Sequence, residues 1–324
     1  MLPSAHDTES NNQAPSINRR EFIATSATAT AAFGFATKSR AAEENRFNLI
    51  GFIKPFQKLP YAQIADLAAE IGWTGIECPV RKGGTIEPPQ VEVELPKLVE
   101  ALKKNRLELS VVASDVEDAK DPLTRSVLRT ASGLGIKHYR LKHYYYDLSK
   151  PIAPQLEGFK SKVKELAALN SELKVQGSIQ NHSGKNYVGA PVWDIWELVK
   201  DQDRTAMAAY FDIGHATLEG GQSWPLHAKL VEPMLGVVSV KDFVWKRIDV
   251  PESDIKRKRA KNDWRSEWCP LGEGMVRPDF FTSLKKSGFN GPISQHFEYE
   301  VGSGQEMIQA MKKELSVLKD WLSV

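Results

Sequence analysis

Along this chain the spacing of apolar positions switches repeatedly between two periods. Short, nearly continuous apolar runs end on Gly, Pro or a polar residue, and between them lie longer segments with apolar residues three and four apart. The first kind reads as strand buried on both faces and the second as amphipathic helix. Strands are expected within Arg46–Phe56, and at Gly75–Val80, Leu107–Ala113, His138–Tyr146, Lys174–Gln180, a run from Met207 that closes on Asp212, Gly236–Val240 and Pro292–Glu300. Helices are expected at Tyr61–Ile71, Leu95–Lys104, Leu123–Leu134, Leu156–Leu173, Trp193–Lys200, Pro225–Val231, Pro278–Lys286 and Gln305–Leu322. Gly72, Gly135 and Gly288 follow three of them as stop signals. Trp245 to Gly274 reads as a long polar loop.

Strand and helix thus alternate eight times, each pair taking about 25 to 40 residues, the scale of a βαβ unit. Alternation of this kind implies a parallel sheet. Eight units in about 280 residues suit an α/β fold of the closed (β/α)8 TIM-barrel type. A doubly wound open sheet is the alternative, but no Gly-rich phosphate loop follows the first strand to support it.

Composition changes this picture little. The 324 residues carry a net charge of +2, with 41% hydrophobic and 26% charged, an ordinary globular balance with length for one large core. The balance argues against nucleic acid as a partner. The basic run Lys256 to Lys261 is local and reads as a solvated face. Two cysteines, Cys78 and Cys269, are too few for a disulfide framework or a structural zinc site, and read as free thiols.

The N-terminus adds an address. Residues 1–42 have the three-part layout of an export signal: Arg19-Arg20-Glu21-Phe22-Ile23, a soft apolar segment from Ala24 to Ala36, then Ser39-Arg40-Ala41. The paired arginines resemble a twin-arginine signal. That would send residues 43–324, as a single catalytic barrel, to the periplasm or otherwise out of a bacterial cell. The apolar segment is too short and too weakly hydrophobic for a stable membrane span.

Candidate chemistry collects where strands end. Tyr210-Phe211-Asp212-Ile213-Gly214-His215-Ala216 closes a buried strand on a carboxylate, which must pair, bind a metal or react. Other strand ends carry Glu77, His143, Gln180 with His182, Lys241 with Asp242, and Glu298. Alternation puts Lys241 on the face of Ser239, and Glu298 on the face of His296. In a barrel these ends form one site. Oxygen and imidazole donors suit a divalent ion such as Mn, Co, Mg or Zn. The tryptophans of the loops suit stacking on sugar rings.

From Arg46 to Val324 the chain resembles the xylose-isomerase-like barrel superfamily of sugar isomerases and epimerases. The marks are Gly75-Ile76-Glu77, Phe-Asp-Ile-Gly-His at 211–215, Val-Lys-Asp at 240–242, Pro-Leu-Gly-Glu-Gly at 270–274 and the acid ending the eighth strand. The resemblance implies one divalent metal held by Asp212 and Glu298. The strand-five acid position is Gln180 and the strand-seven His position is Ser239, so Gln180 and His296 complete the expected ligand set, with His182 as another recruit. Glu298, His182 and Lys241 are the expected catalytic residues, with Glu77, His143, His215 and Asp242 contacting substrate. The implied reaction is proton abstraction alpha to the carbonyl of a small carbohydrate, as isomerase or epimerase. A keto-glycoside lyase and a non-catalytic carbohydrate-binding barrel are the alternatives. The charge balance does not support the nuclease activity of another branch. The late helices would serve a homodimer, with no diagnostic feature for one.

Overall fold

The computed structural model describes residues 47–249 and 262–323. The expected export signal at 1–42 and the basic run at 256–261 lie outside these residues. Eight parallel strands close into a barrel in the order β1-β10-β7-β6-β5-β4-β3-β2. They are β1 (Asn48–Phe52), β2 (Gly75–Val80), β3 (Glu108–Ser114), β4 (His138–Arg140), β5 (Gln176–Gln180), β6 (Met207–Asp212), β7 (Leu235–Val240) and β10 (Pro292–Gln295). The TIM barrel expected from the alternation is therefore the fold. No helix among the described residues is long and apolar enough to cross a membrane. Cys78 and Cys269 are free thiols.

The helices wrap the barrel because each presents one apolar stripe to the outer face of the strands. Helix α1 (Tyr61–Ile71) buries Ile64, Ala65, Ala68 and Ile71, and Gly72 ends it in the left-handed conformation at φ +96°. Strand alternation sorts the rest. Phe211 of β6 points outward onto Phe280 of the helix Asp279–Lys286, at 5.4 Å between ring centroids, while Tyr210 points inward. Ile50, Val111, Tyr210 and Val237 form a small apolar cluster of their own, separate from the large cluster that most other buried apolar residues share.

Four expectations need correction. The loop Trp245–Gly274 contains an antiparallel hairpin, β8 (Asp242–Asp249) with β9 (Asn262–Cys269). Its aromatic residues alternate with charged ones, and the charges mask the strand period. Strand β4 stops at Arg140 and does not run to Tyr146, because the chain beyond pairs with the loop after β5, Tyr146 N–H donating to Asn186 C=O at 2.8 Å. Strand β10 ends at Gln295, not Glu300. Finally, a helix, α6 (Ile213–Gly220), starts directly on β6, with no intervening turn.

The last helix, α9 (Gly304–Ser323), buries a carboxyl group. Glu314 is 2% exposed, and burial pushes its pKa from 4.5 up to about 7, more than the hydrogen bonds from Tyr299 and Leu271 lower it. The folded protein thus holds this proton more tightly than the unfolded chain does. Stability from Glu314 is full below about pH 4.5 and is lost as pH rises through 7. A shift of that size corresponds to about 3 kcal/mol at most. Urea denaturation at pH 5 and pH 8 should show the wild type losing stability over this interval and Glu314→Gln losing distinctly less.

Candidate active site

At the C-terminal ends of the strands lies a cavity of about 200 Å³, walled by Phe52, Lys54, Arg81, Arg140, His143, Gln180, His182, Tyr187, Lys241, His296 and Glu298. Just beneath it is Asp212, fully buried. Strand β6 turns Asp212 inward and α6 begins on it, so its Oδ1 caps the helix by accepting from His215 N–H at 2.9 Å. Asn181 grips the peptide on both sides, accepting from Asp212 N–H at 2.7 Å and donating to its carbonyl at 3.0 Å. Oδ2 accepts from Gln180 Nε2 at 3.0 Å and from Ser239 Oγ at 2.8 Å. Lys241 Nζ stands 3.3 Å away. Burial alone would raise this carboxyl, but Lys241 above all, with His296, the His215 amide and Ser239, holds it below the usual range.

Lys241 is the hub. Its ammonium donates to His215 Nε2 at 2.7 Å and lies 3.9 Å from Glu298 Oε1. The indole of Trp268, carried in by β9, covers it at 4.6 Å from the ring centroid. The stem of Lys241 crosses Gly214, where a Cβ would stand 2.8 Å from Lys241 Cγ, so only glycine leaves room. With Nε2 accepting, His215 carries its proton on Nδ1 and donates it to Ser183 Oγ at 2.6 Å. Burial, then Lys241, pushes His215 well below its ordinary pKa, so the ring is neutral.

His182 is oriented differently. Its Nδ1–H donates to the Ser183 carbonyl at 2.9 Å, which leaves the Nε2 lone pair unoccupied. Its ring stacks on Tyr187 at 4.3 Å and lies 3.9 Å from that of His215. Burial first and Lys241 second lower its pKa to about 4. His143 accepts from Arg140 Nη1 at 3.3 Å and packs against His182 and Tyr187. Glu298 accepts from Lys54 at 2.9 Å. Burial works against its charge, but Lys241 and Lys54 outweigh it and keep the carboxyl below its usual range.

The expected metal ligands do not fit a metal. A divalent ion needs lone pairs converging on one centre. Gln180 Oε1 instead accepts from Arg140. His296 Nε2 sits 2.9 Å from Glu77 Oε2 and 3.1 Å from the Tyr210 hydroxyl. Asp212 and Glu298 both face the Lys241 ammonium. Among the described residues no group of three or more His, Cys, Asp or Glu side chains is placed to hold an ion. The expected ligand set is thus engaged within the chain: Asp212 and Glu298 face Lys241, Gln180 accepts from Arg140, and His296 meets Glu77.

Two expected substrate contacts are also corrected. Glu77 has no exposed surface and lies below the cavity; its Oε2 accepts from Tyr210 at 2.7 Å and Ser294 at 2.8 Å, besides its contact with His296. Burial raises its pKa, yet His296, Arg140 and Tyr210 outweigh it and bring the carboxyl to about 2. Asp242 points away from the cavity. It accepts from the backbone N–H of Phe243, Gly272, Gly274 and Val276, at 2.8 to 3.0 Å, and so clasps the Pro-Leu-Gly-Glu-Gly turn to the base of the hairpin. His143, Gln180, His182, Lys241, His296 and Glu298 do line the cavity, and His215 touches it through Lys241. Lys54, Arg81, Arg140, Asn181 and Tyr187 escaped the sequence reading, whereas Trp268 was among the loop tryptophans expected to suit sugar rings and stands over Lys241. Arg140 ends β4 facing inward and was findable by the rule that put Asp212 on the page, had β4 been read as ending there.

A family model described as a xylose isomerase-like TIM barrel matches residues 65–321. No curated protein matches the chain. Among solved structures, a D-psicose 3-epimerase from Clostridium cellulolyticum H10 is similar at TM-score 0.63 and 13% identity, over 85% of this chain and 99% of that one. A 3-keto-D-glucoside 4-epimerase from E. coli is similar at TM-score 0.61 and 13% identity, over 85% and 99%. A probable 3-DHS dehydratase from Bacillus anthracis is similar at TM-score 0.62 and 14% identity, over 84% and 98%. Identities this low speak for a shared fold.

The Asp242 clasp carries a test. Asp242→Asn keeps the shape but sets an amide donor against two backbone donors, an arrangement that costs about 2 to 4 kcal/mol. Urea denaturation should show a loss of that order, against a negligible change for the exposed control Glu100→Gln.

Proposed function

The chain belongs to the xylose isomerase-like TIM barrel family, and on that footing we propose that it is a sugar-modifying enzyme of the isomerase or epimerase kind, working by proton abstraction alpha to a carbonyl without a metal. The observation that carries this reading is the pairing of an unoccupied imidazole lone pair, His182 Nε2, with the Lys241 ammonium in one cavity wall. A neutral imidazole accepts a carbon-bound proton; an ammonium stabilises the oxyanion that forms as the proton leaves.

The steps follow from the side chains. The sugar carbonyl oxygen takes a hydrogen bond from Lys241 Nζ, which Asp212, His215 and Trp268 hold in place. His182 removes the adjacent proton and the enediolate charge builds against the ammonium. For an isomerisation, the former carbonyl oxygen takes a proton from Lys241 Nζ, and Lys241 regains one from the neighbouring hydroxyl, which becomes the new carbonyl. His182 then returns its proton to the former carbonyl carbon. Reprotonation of the opposite face by a water molecule, with His182 later releasing its proton to solvent, gives an epimer. Loss of a leaving group from the same intermediate would be the lyase outcome, the alternative on this machinery. The sequence expected a divalent metal for the electrophile; the cationic donors of the site assign that task to Lys241. The twin-arginine signature supports an exported enzyme as part of the same proposal.

The test is solvent exchange. In D2O with EDTA, the wild type should introduce deuterium at the carbon alpha to the carbonyl in one or more members of a panel of neutral and acidic keto-sugars, read by proton NMR. His182→Ala should slow exchange by about 10²- to 10⁴-fold. Lys241→Met should slow it by about 10²- to 10³-fold; the double variant Asp212→Asn, Lys241→Met, which leaves no buried unpaired carboxylate, separates a chemical loss from misfolding. Exchange abolished by EDTA and restored by a divalent ion would overturn the metal-free mechanism. No exchange on any member of the panel would overturn the deprotonation reading.

A further inference from the structure

The cavity wall is unevenly charged for a site that would take a neutral sugar. Lys54, Arg81, Arg140 and Lys241 all line it, against one carboxylate, Glu298. Glu298 engages Lys54 at 2.9 Å and lies near Lys241. Buried Asp212 answers Lys241 from below, and Glu77 lies 3.5 Å from Arg140 Nε. One cation has no directional partner. Arg81 has no hydrogen-bonded or ion-paired partner among the described residues; its guanidinium lies over the Phe52 ring at 5.6 Å, and Arg140 lies over the same ring at 5.6 Å. Glu77, Asp115 and Glu298 act on Arg81 through space without a hydrogen bond to it, and the Asp115 carboxylate accepts from Lys82 N–H at 2.6 Å.

Two guanidinium groups held against one aromatic ring repel each other, and burial works against the charge of Arg81 as well. Such an arrangement is stable only when something negative joins it or when solvent reaches it. The half-buried position of Arg81 on the cavity wall favours the first. A guanidinium presents a planar fork that matches the two oxygens of a carboxylate.

We infer that the substrate is an acidic sugar, a uronate or keto-aldonate, whose carboxylate is received by Arg81 beside Phe52 while its carbonyl lies towards Lys241 and His182. This rests on the proposed function for the carbonyl end alone; the carboxylate end stands on the charge pattern. It also assigns Arg81 a task in selectivity: a neutral sugar would leave it unpartnered and would bind more weakly.

Calorimetric titration of the full chain tests this, using D-glucuronate, its neutral methyl ester, D-glucose and D-glucose 6-phosphate as probes. Glucuronate should bind at least tenfold more tightly than glucose or the ester. Arg81→Gln should weaken glucuronate binding at least tenfold and so remove that preference, and raising the salt concentration should weaken glucuronate binding to the wild type. Equal binding of glucuronate and its ester would overturn the inference. So would tighter binding of the phosphate than of the carboxylate, or an Arg81→Gln variant with undiminished preference. The two readings fail separately. Selective glucuronate binding without exchange on any keto-sugar sinks the deprotonation chemistry and spares the carboxylate site. Exchange on neutral keto-sugars with no preference for acids does the reverse.

Discussion

A carboxylate with no exposed surface at the mouth of a barrel constrains everything around it. Asp212 is such a group, and leaving it charged and alone would cost several kcal/mol. Its oxygens are met by an amide, a hydroxyl, a backbone N–H and the Lys241 ammonium. Each partner then makes its own demand. The ammonium needs a passage, supplied by Gly214. The helix whose N–H caps Asp212 must start at once, so α6 follows β6 without a turn. The lysine needs a cover, supplied by Trp268 on a hairpin that Asp242 ties down.

Beneath this layer lies a second with the same logic. Glu77 answers Arg140 and takes hydrogen bonds from Tyr210 and Ser294, residues from three other strands. Two stacked layers of fixed charge in a low-dielectric interior orient the side chains above them before any ligand arrives. His182 and His215 show the result. One carries its Nδ1 proton to a carbonyl and the other to a hydroxyl, so only the first keeps its outward nitrogen open.

The barrel was legible because strand and helix periods alternate cleanly, and a fully buried strand writes itself as an apolar run. The strand-end rule then brought His182, Asp212, Lys241 and Glu298 forward, and period two placed Lys241 beside Ser239 and Glu298 beside His296. Less legible was what stands between the acids, where Lys241 faces both Asp212 and Glu298. Side-chain types name donors but not their directions, and Gln180 reads equally as a metal ligand or as an acceptor for Arg140. Arg140 stayed hidden because the aromatic run after it prolonged the strand on paper. The β8–β9 hairpin stayed hidden because Lys246, Arg265 and Glu267 interleave with Trp245, Trp264 and Trp268, and a mean over such a segment is polar.

That interleaving has a consequence for how the roof of the cavity can change over generations. Phe243 faces Trp268 and Trp245 faces Ser266 across the ladder, so the side chains on each arm alternate between the cavity side and the outside. Losing Cys269, at the base of its arm, would reverse every side chain beyond it and lift the indole off the lysine. Losing an opposite pair farther out, such as Ile248 with Asp263, leaves the inner ladder untouched. Insertions and deletions are thus tolerated only two at a time, one on each arm, and the breadth of the roof becomes a trait that can vary in whole rungs while the charge cluster below it is inherited unchanged.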